Sequence, residues 1–226
     1  MRTFSIWTLF FVLVCGSQAS IAQTQTQEPG RRLFPPQDLG LLDAPDRDAW
    51  QRPDQIMDAL GIADGAIVAD LGAGGGWFTL RLARRVGPNG IVYAEDVQPQ
   101  MIEAIGDRVR REGLTNVRTV LGTTEDPRLP QPVDAALIVD AYHEMEDPVT
   151  MLRNVASALR PGGRLGIVGF IAGAGGPGPP PEDRPAPGSV IAAAEQAGLA
   201  LQSHEAVLPF QFLLVFVARP EAPVTP

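Results

Sequence analysis

The sequence contains no lysine: all 18 of its basic residues are arginines. That absence removes enzymes that build a Schiff base on lysine, pyridoxal phosphate enzymes among them. It also removes the phosphate-binding loop whose lysine reaches the outer phosphates. Cysteine and histidine are nearly missing as well. One cysteine, Cys15, and two histidines, His143 and His204, exclude a Cys/His zinc site and an intrachain disulfide, so no metal is expected. Long basic runs are absent: 26 acids against 18 bases leave a net charge of −8, broken only by short clusters such as Arg108, Arg110 and Arg111. A nucleic-acid partner needs a basic surface, so none is expected.

What is present begins with a leader. Arg2 is a minimal charged start, Phe4 to Cys15 is almost wholly apolar, and Ser17-Gln18-Ala19 and Ser20-Ile21-Ala22 both offer small-x-small cleavage sites. The apolar run falls short of the ~20 residues that span a bilayer, so no stable membrane span is expected. Residues 1–22 therefore read as a cleavable signal peptide, and export, to the periplasm, is the expectation. A lipoprotein anchor at Cys15 is the lesser choice, because Val14 is too large for the residue before a lipidated cysteine. Residues 23–45 are polar and proline-containing without a period, and read as a disordered linker. One domain is expected over 46–219, followed by a tail at 220–226.

From Asp46 the strand and helix patterns alternate. A short helix over 56–60 stops at Gly61. Strands are expected at 66–71, 91–95, 117–121, 133–139 and 164–170, and helices at 77–86, 99–112 and 148–159. Near-continuous apolar strands between amphipathic helices imply a parallel sheet covered on both faces. Residues 173–188 hold five glycines and six prolines, which reads as a loop insertion. A helix at 189–197 and two strands near 199–207 and 211–218 close the pattern. With no helix between them, those two strands read as a hairpin at the sheet edge. His204 falls on one of them and is expected in solvent.

The most informative segment is Ile67-Val68-Ala69-Asp70-Leu71-Gly72-Ala73-Gly74-Gly75-Gly76, a buried strand that ends in an acid and a glycine turn and opens into a helix at Trp77. Glycines admit a close backbone approach, and a helix N-terminus presents free N–H donors. A dinucleotide fingerprint started at Gly72 would need a small residue where Trp77 stands, which disfavours an NAD-dependent oxidoreductase. The remaining pattern is D-x-G-x-G-x-G at Asp70, Gly72, Gly74 and Gly76. An acid at the strand end suits a cationic or hydroxyl-rich group and repels a pyrophosphate. A second acid, Asp96, ends the next strand 20 residues after Gly76, where a carboxylate can accept both ribose hydroxyls; Glu95, one residue earlier, is the second choice.

These residues resemble motif I and the strand-two acid of the class I S-adenosylmethionine-dependent methyltransferases. Leu121-Gly122-Thr123-Thr124-Glu125-Asp126 is similar to the family's adenine loop, although Thr123-Thr124 stands where many relatives have an acid and an alanine. Asp140-Ala141-Tyr142-His143-Glu144 resembles the motif after strand four, in a Tyr-His-Glu version found in exported methyltransferase-like proteins. The resemblance covers roughly residues 46–171. It implies an α/β, Rossmann-like doubly wound sheet, mostly parallel with an antiparallel C-terminal edge hairpin, and S-adenosyl-L-methionine as cofactor. It places Asp70, Gly72, Ala73, Gly74 and Gly76 at the methionine side, Asp96 and Val97 at the ribose, and Thr123, Thr124 and Glu125 at the adenine. Asp140 falls beside the cofactor, and Asp140, Tyr142 and His143 are the catalytic candidates. His143 reads either as a general base or as part of the pocket floor. Trp50 reads either as a lid or as a core anchor. Methyl transfer to a small-molecule acceptor is the expected function. The alternative is an exported cofactor-binding or scaffold protein on the same fold without turnover.

Overall fold

A computed structural model describes residues 33–219; the expected signal peptide, the first part of the linker and the tail lie outside the described residues. Two short helices, α1 (Arg47–Gln51) and α2 (Pro53–Ala59), precede the sheet. Then follow β1 (Ile67–Leu71), α3 (Trp77–Val86), β2 (Ile91–Asp96), α4 (Pro99–Arg111), β3 (Val117–Leu121) and β4 (Val133–Val139). The chain continues through α5 (Pro148–Ala158), β5 (Leu159–Phe170), α6 (Pro187–Gln196), β6 (Leu199–Glu205) and β7 (Gln211–Ala218).

The seven strands lie in the order β3-β2-β1-β4-β5-β7-β6. β1 to β5 run parallel to their neighbours, and β7 is antiparallel to both β5 and β6. This is the expected mixed α/β sheet, and the reason is visible in the two closing strands. Six consecutive residues of β7, Gln211 to Phe216, are buried, as suits a strand covered on both faces; β6 alternates with Gln202 and His204 exposed, as suits an edge. β5 starts earlier than expected. Its pairing jumps from Val133–Leu159 to Ala135–Arg164, so residues 160–163 bulge out of the ladder instead of ending it.

Each face of the sheet carries its own apolar layer. Ile56 of α2, Leu82 and Val86 of α3 and Ile105 of α4 close one face; Leu152 and Val155 of α5 and Val190 and Ala194 of α6 close the other. Truncating any of the large members to alanine costs about 2–5 kcal/mol. The parallel strands therefore present their carboxyl ends, with the loops after β1, β2, β3 and β4, along one rim, where open α/β sheets bind ligands.

The segment read as a linker departs from expectation over residues 33–44. Pro36–Asp43 forms a 3-10 turn laid over the glycine loop after β1. Apolar side chains explain the order: a Cβ added at Gly74 would lie 3.3 Å from Leu42, and one at Gly75 would lie 3.2 Å from Leu39. Polar ties add to it. Arg108 donates to both oxygens of Asp43 (2.8 and 3.0 Å) and to the Gly75 carbonyl (3.1 Å). The Phe34 N–H donates to Glu144 (2.8 Å), and Gln98 donates to the Phe34 carbonyl (3.0 Å).

Candidate cofactor site

A cavity of about 520 Å3 opens at this rim, between the loops after β1, β2 and β4 and under the 33–44 segment. Its floor is the glycine turn. Gly72 adopts φ +66°, and a Cβ there would meet the Ala141 Cβ at 2.6 Å, so only glycine fits. Asp70, 1% exposed at the end of β1, accepts the Thr79 hydroxyl at 2.6 Å, which ties the strand to the first turn of α3. Asp96 at the end of β2 accepts the Gly74 N–H with one oxygen and the Gln98 N–H with the other, both at 2.9 Å. It thus staples the glycine turn to the second strand, and as a carboxylate it keeps acceptor capacity beyond these two bonds at the cavity it lines. Glu95 accepts the Gly72 N–H through Oε2 (3.2 Å), while its Oε1 is a buried oxygen without a hydrogen-bond partner among the described residues.

Four side chains from distant parts of the chain close a polar ring at the other end. Arg47 donates to Gln51 (3.0 Å), Gln51 to Gln211 (2.7 Å), and Gln211 to Asp140 (2.6 Å); Arg47 returns to Asp140 at 3.9 Å. Gln51 and Gln211 are fully enclosed, so each amide needs these partners. Asp140 holds φ +56°, a sparsely populated conformation for a non-glycine residue, and is pinned there by its N–H on Val168 (3.0 Å). Arg47 also lies 4.2 Å over the Trp77 ring, with Arg81 at 3.4 Å from that ring.

The electrostatics are unusual for a rim of this size. Burial pushes the carboxyls of Asp70 to about 6, Asp140 to about 7, Glu144 to about 7 and Glu95 to about 8, and raises Asp96 as well. Hydrogen bonds from Thr79 to Asp70 and from Gln211 to Asp140, and the Arg47 charge, pull in the opposite direction without overcoming desolvation. Arg47 is itself lowered from its ordinary value by burial. Carboxylates crowded in this way with one guanidinium favour a ligand that brings positive charge and hydroxyl donors together with one anionic group. Among the described residues no cluster of His, Cys, Asp and Glu has a metal-binding arrangement, and no helix is long and apolar enough to cross a membrane.

The remaining wall is apolar. Trp50 packs on Phe170 with ring centroids 5.8 Å apart, and Pro177 to Pro180 of the Pro/Gly insertion line the cavity beside them. Arg184 fixes that insertion from behind, donating to the carbonyls of Pro179 (2.9 Å), Gly175 (2.9 Å), Ile171 (3.2 Å) and Pro177 (3.2 Å).

Of the residues singled out in the sequence, Asp70, Gly72, Ala73, Gly74, Asp96, Val97, Thr124, Asp140 and His143 line the cavity. Four others are placed elsewhere. Gly76, at φ +76°, caps α3, and its Cα faces Ile105. Thr123 folds back, its hydroxyl accepting the Asp126 N–H (3.0 Å), and the exposed Glu125 contributes its carbonyl to Asn154 (2.8 Å). Tyr142 turns into the apolar layer under α5 because the 3-10 turn Tyr142–Glu144 rotates it inward, 5% exposed. Arg47, Gln51, Glu144 and Gln211 were not foreseen. Their contacts span up to 160 residues, and no local pattern marks them.

Comparison with known proteins agrees with this geometry. Residues 68–163 match the family described as "Methyltransferase domain". An uncharacterized methyltransferase of Mycobacterium tuberculosis is 40% identical over 118 residues, 51% of this chain and 44% of that one. A ubiquinone/menaquinone biosynthesis C-methyltransferase of Pasteurella multocida is 32% identical over 123 residues, 54% of this chain and 45% of its own. The chain thus spans less than half the length of these curated relatives. The crystal structure of a SAM-dependent methyltransferase from Aquifex aeolicus superposes with a TM-score of 0.76 at 28% identity, covering 81% of this chain and 98% of that one. Strand order and glycine turn are those of the class I methyltransferase fold, and residues 68–163 match a methyltransferase domain, for which S-adenosylmethionine is the methyl donor.

Proposed function

We propose that the chain transfers the methyl group of S-adenosylmethionine to a small, flat, largely apolar acceptor. The observation that carries this reading is the two-sided cavity: an acid-rich glycine floor with one guanidinium, facing an aromatic and proline wall. The donor set fits the cofactor. Gly72, Ala73 and Gly74 admit the methionine portion, Arg47 pairs with its carboxylate, and Asp96 accepts the ribose hydroxyls. Val97 and Thr124 flank the base. When bound, the cofactor supplies a methyl group on a sulfonium, poised for in-line displacement.

The chain's own contribution is positioning and proton removal. Trp50, Phe170 and Pro177 to Pro180 exclude water from one side of the acceptor and orient a planar ring by its faces. Asp140, held near neutrality and oriented by Gln211 and Arg47, accepts the proton from the acceptor's O–H or N–H. His143, on the same wall, is the second candidate for that role. The Pasteurella multocida relative, a ubiquinone/menaquinone biosynthesis C-methyltransferase, supports a ring-shaped acceptor.

Calorimetry of residues 23–226 with S-adenosylhomocysteine tests the reading, with Asp96→Ala as the control that loses binding. Transfer of labelled methyl to hydroquinones and catechols, and not to glycine, is then expected. No binding by the wild-type chain sinks the proposal. A second reading, an exported cofactor-binding protein without turnover, rests on the apolar leader over residues 1–22. Periplasmic recovery of the full chain after fractionation, together with binding but no transfer to any acceptor, would favour it.

A further inference from the structure

Trp77 lines the cofactor cavity at the first position of α3, directly after the glycine turn, and has no part in the methyl transfer proposed above. Two guanidiniums stand against its ring. The Arg47 Cζ lies 4.2 Å from the ring centroid and the Arg81 Cζ 3.4 Å. Arg81 also grips both carboxylate oxygens of Asp48, the neighbour of Arg47 (2.8 and 2.7 Å), and donates to the Trp77 carbonyl (2.9 Å). The ring and this ion pair therefore dock α1 onto α3 at the edge of the glycine turn.

α1 needs that support. It has five residues, too few for a stable helix by itself, and Arg47 is its first. A free arginine side chain samples many rotamers, and ordering it at the moment of binding costs affinity. Here the guanidinium is ordered in advance. Nε donates to Gln51 (3.0 Å) and Nη1 to the Leu42 carbonyl (2.7 Å), while the Trp77 ring supplies a face that attracts the cation. Nη2 is the group left over. It has Asp140 at 3.9 Å, beyond hydrogen-bond reach. Among the described residues, the buried side-chain atoms without a hydrogen-bond partner reduce to Glu95 Oε1. Nη2, which also lacks one, is therefore not sealed in and opens on the cavity that Arg47 lines.

We propose that Trp77 is a positioning residue for the cofactor, its ring face holding the Arg47 guanidinium so that Nη2 meets the carboxylate of the methionine portion. This rests on the S-adenosylmethionine reading above. Trp77 makes no polar contact with the cofactor in this role and acts through Arg47. Phenylalanine keeps an aromatic face at the position. Leucine fills part of the same space without one, and leaves the guanidinium to swing toward the Asp140 carboxylate that competes for it.

Calorimetry of the full chain with two ligands tests this: S-adenosylhomocysteine, and S-adenosyl-3-thiopropylamine, the same molecule without its carboxylate. The wild-type chain is expected to prefer the first by about tenfold or more, the worth of one hydrogen bond to a charged group. In Arg47→Met and in Trp77→Leu the preference is expected to fall below about threefold, whereas Trp77→Phe keeps it within about twofold of wild type. A wild-type ratio in either Arg47→Met or Trp77→Leu overturns the proposal, since a packing role for the indole lowers both affinities together. A second measurement does not depend on the leucine variant folding. With Trp7 and Trp50 replaced by phenylalanine, Trp77 is the one indole left, and 5,7-difluorotryptophan in its place drains the negative ring face at nearly constant shape. The preference is expected to drop at least about twofold against the same protein carrying ordinary tryptophan, and an equal ratio overturns the proposal. A wild-type chain that binds both ligands alike overturns the Arg47 contact and this role with it. Absence of S-adenosylhomocysteine binding by the wild-type chain overturns the cofactor reading itself.

Discussion

Glu95→Gln makes a prediction about stability that needs no ligand. Folding moves this carboxyl from its ordinary 4.5 to about 8, with desolvation as the largest cause. Because the folded value lies above the unfolded one, the fold favours the neutral form. The contribution is whole below the ordinary value and is lost as pH climbs through about 8. At full ionisation the difference amounts to about 5 kcal/mol. Water in the adjoining cavity relieves part of it, and ~2–3 kcal/mol shifts the melting temperature of a domain this size by ~4–12 °C. Glutamine keeps the shape and an oxygen for the Gly72 N–H, but never ionises. Thermal unfolding of both proteins from pH 4 to pH 9 is the assay. The two melting temperatures are expected to coincide near pH 4, to separate progressively as pH rises from 4.5 towards about 8, and to keep that gap above it, with the variant higher. Asp70, Asp140 and Glu144 titrate in both proteins, so the difference isolates Glu95. A constant offset across the range would refute the reasoning, since it would mean that burial of this group does not control its ionisation.

Other parts of the site give independent expectations. Thr79→Val removes the hydroxyl that Asp70 accepts at 2.6 Å and should cost about 1–3 kcal/mol in urea unfolding at pH 8. The loss should shrink at pH 5, below the value of about 6 at which Asp70 ionises in the fold. Arg108→Ala releases Asp43 and the Gly75 carbonyl, so amide exchange over residues 36–43 should quicken at least about tenfold, and bound S-adenosylhomocysteine should dissociate faster. An exchange rate like that of the wild-type chain would show that Leu39 and Leu42 suffice to hold the segment. Arg184→Met strips four carbonyls of their donor and should make residues 173–186 susceptible to limited proteolysis, while cofactor affinity stays within about twofold.

Local patterns carried most of the fold. Helix α3 is delimited by Gly76 and Gly87, β7 is a long apolar run, and the strand-end acids Asp70 and Asp96 stand at fixed distances from the glycine turn. Each of these is readable within about ten residues. The 33–44 segment was not, because its prolines and lack of period hide the fact that Leu39 and Leu42 find a partner in bare glycine backbone. The Arg47–Gln51–Gln211–Asp140 ring escaped for another reason. Each member is an ordinary polar residue in its own surroundings, and only the crossing of β7 back beside β5 brings them together. Tyr142 misled because a motif gives spacing but not the rotation of a 3-10 turn.

The interior position of β7 has a consequence for the order in which the protein is made. β5 is synthesised some forty residues before the strand that pairs along it, Arg164 to Phe170 against Val217 to Gln211. Until β7 emerges, the apolar edge of β5 has no neighbour and is open to pairing with another chain. The same strand carries Gln211, which orients Asp140. A nascent chain therefore holds its glycine turn early but leaves Asp140 without its Gln211 partner until residue 211 docks, so the site is completed with the closing of the sheet.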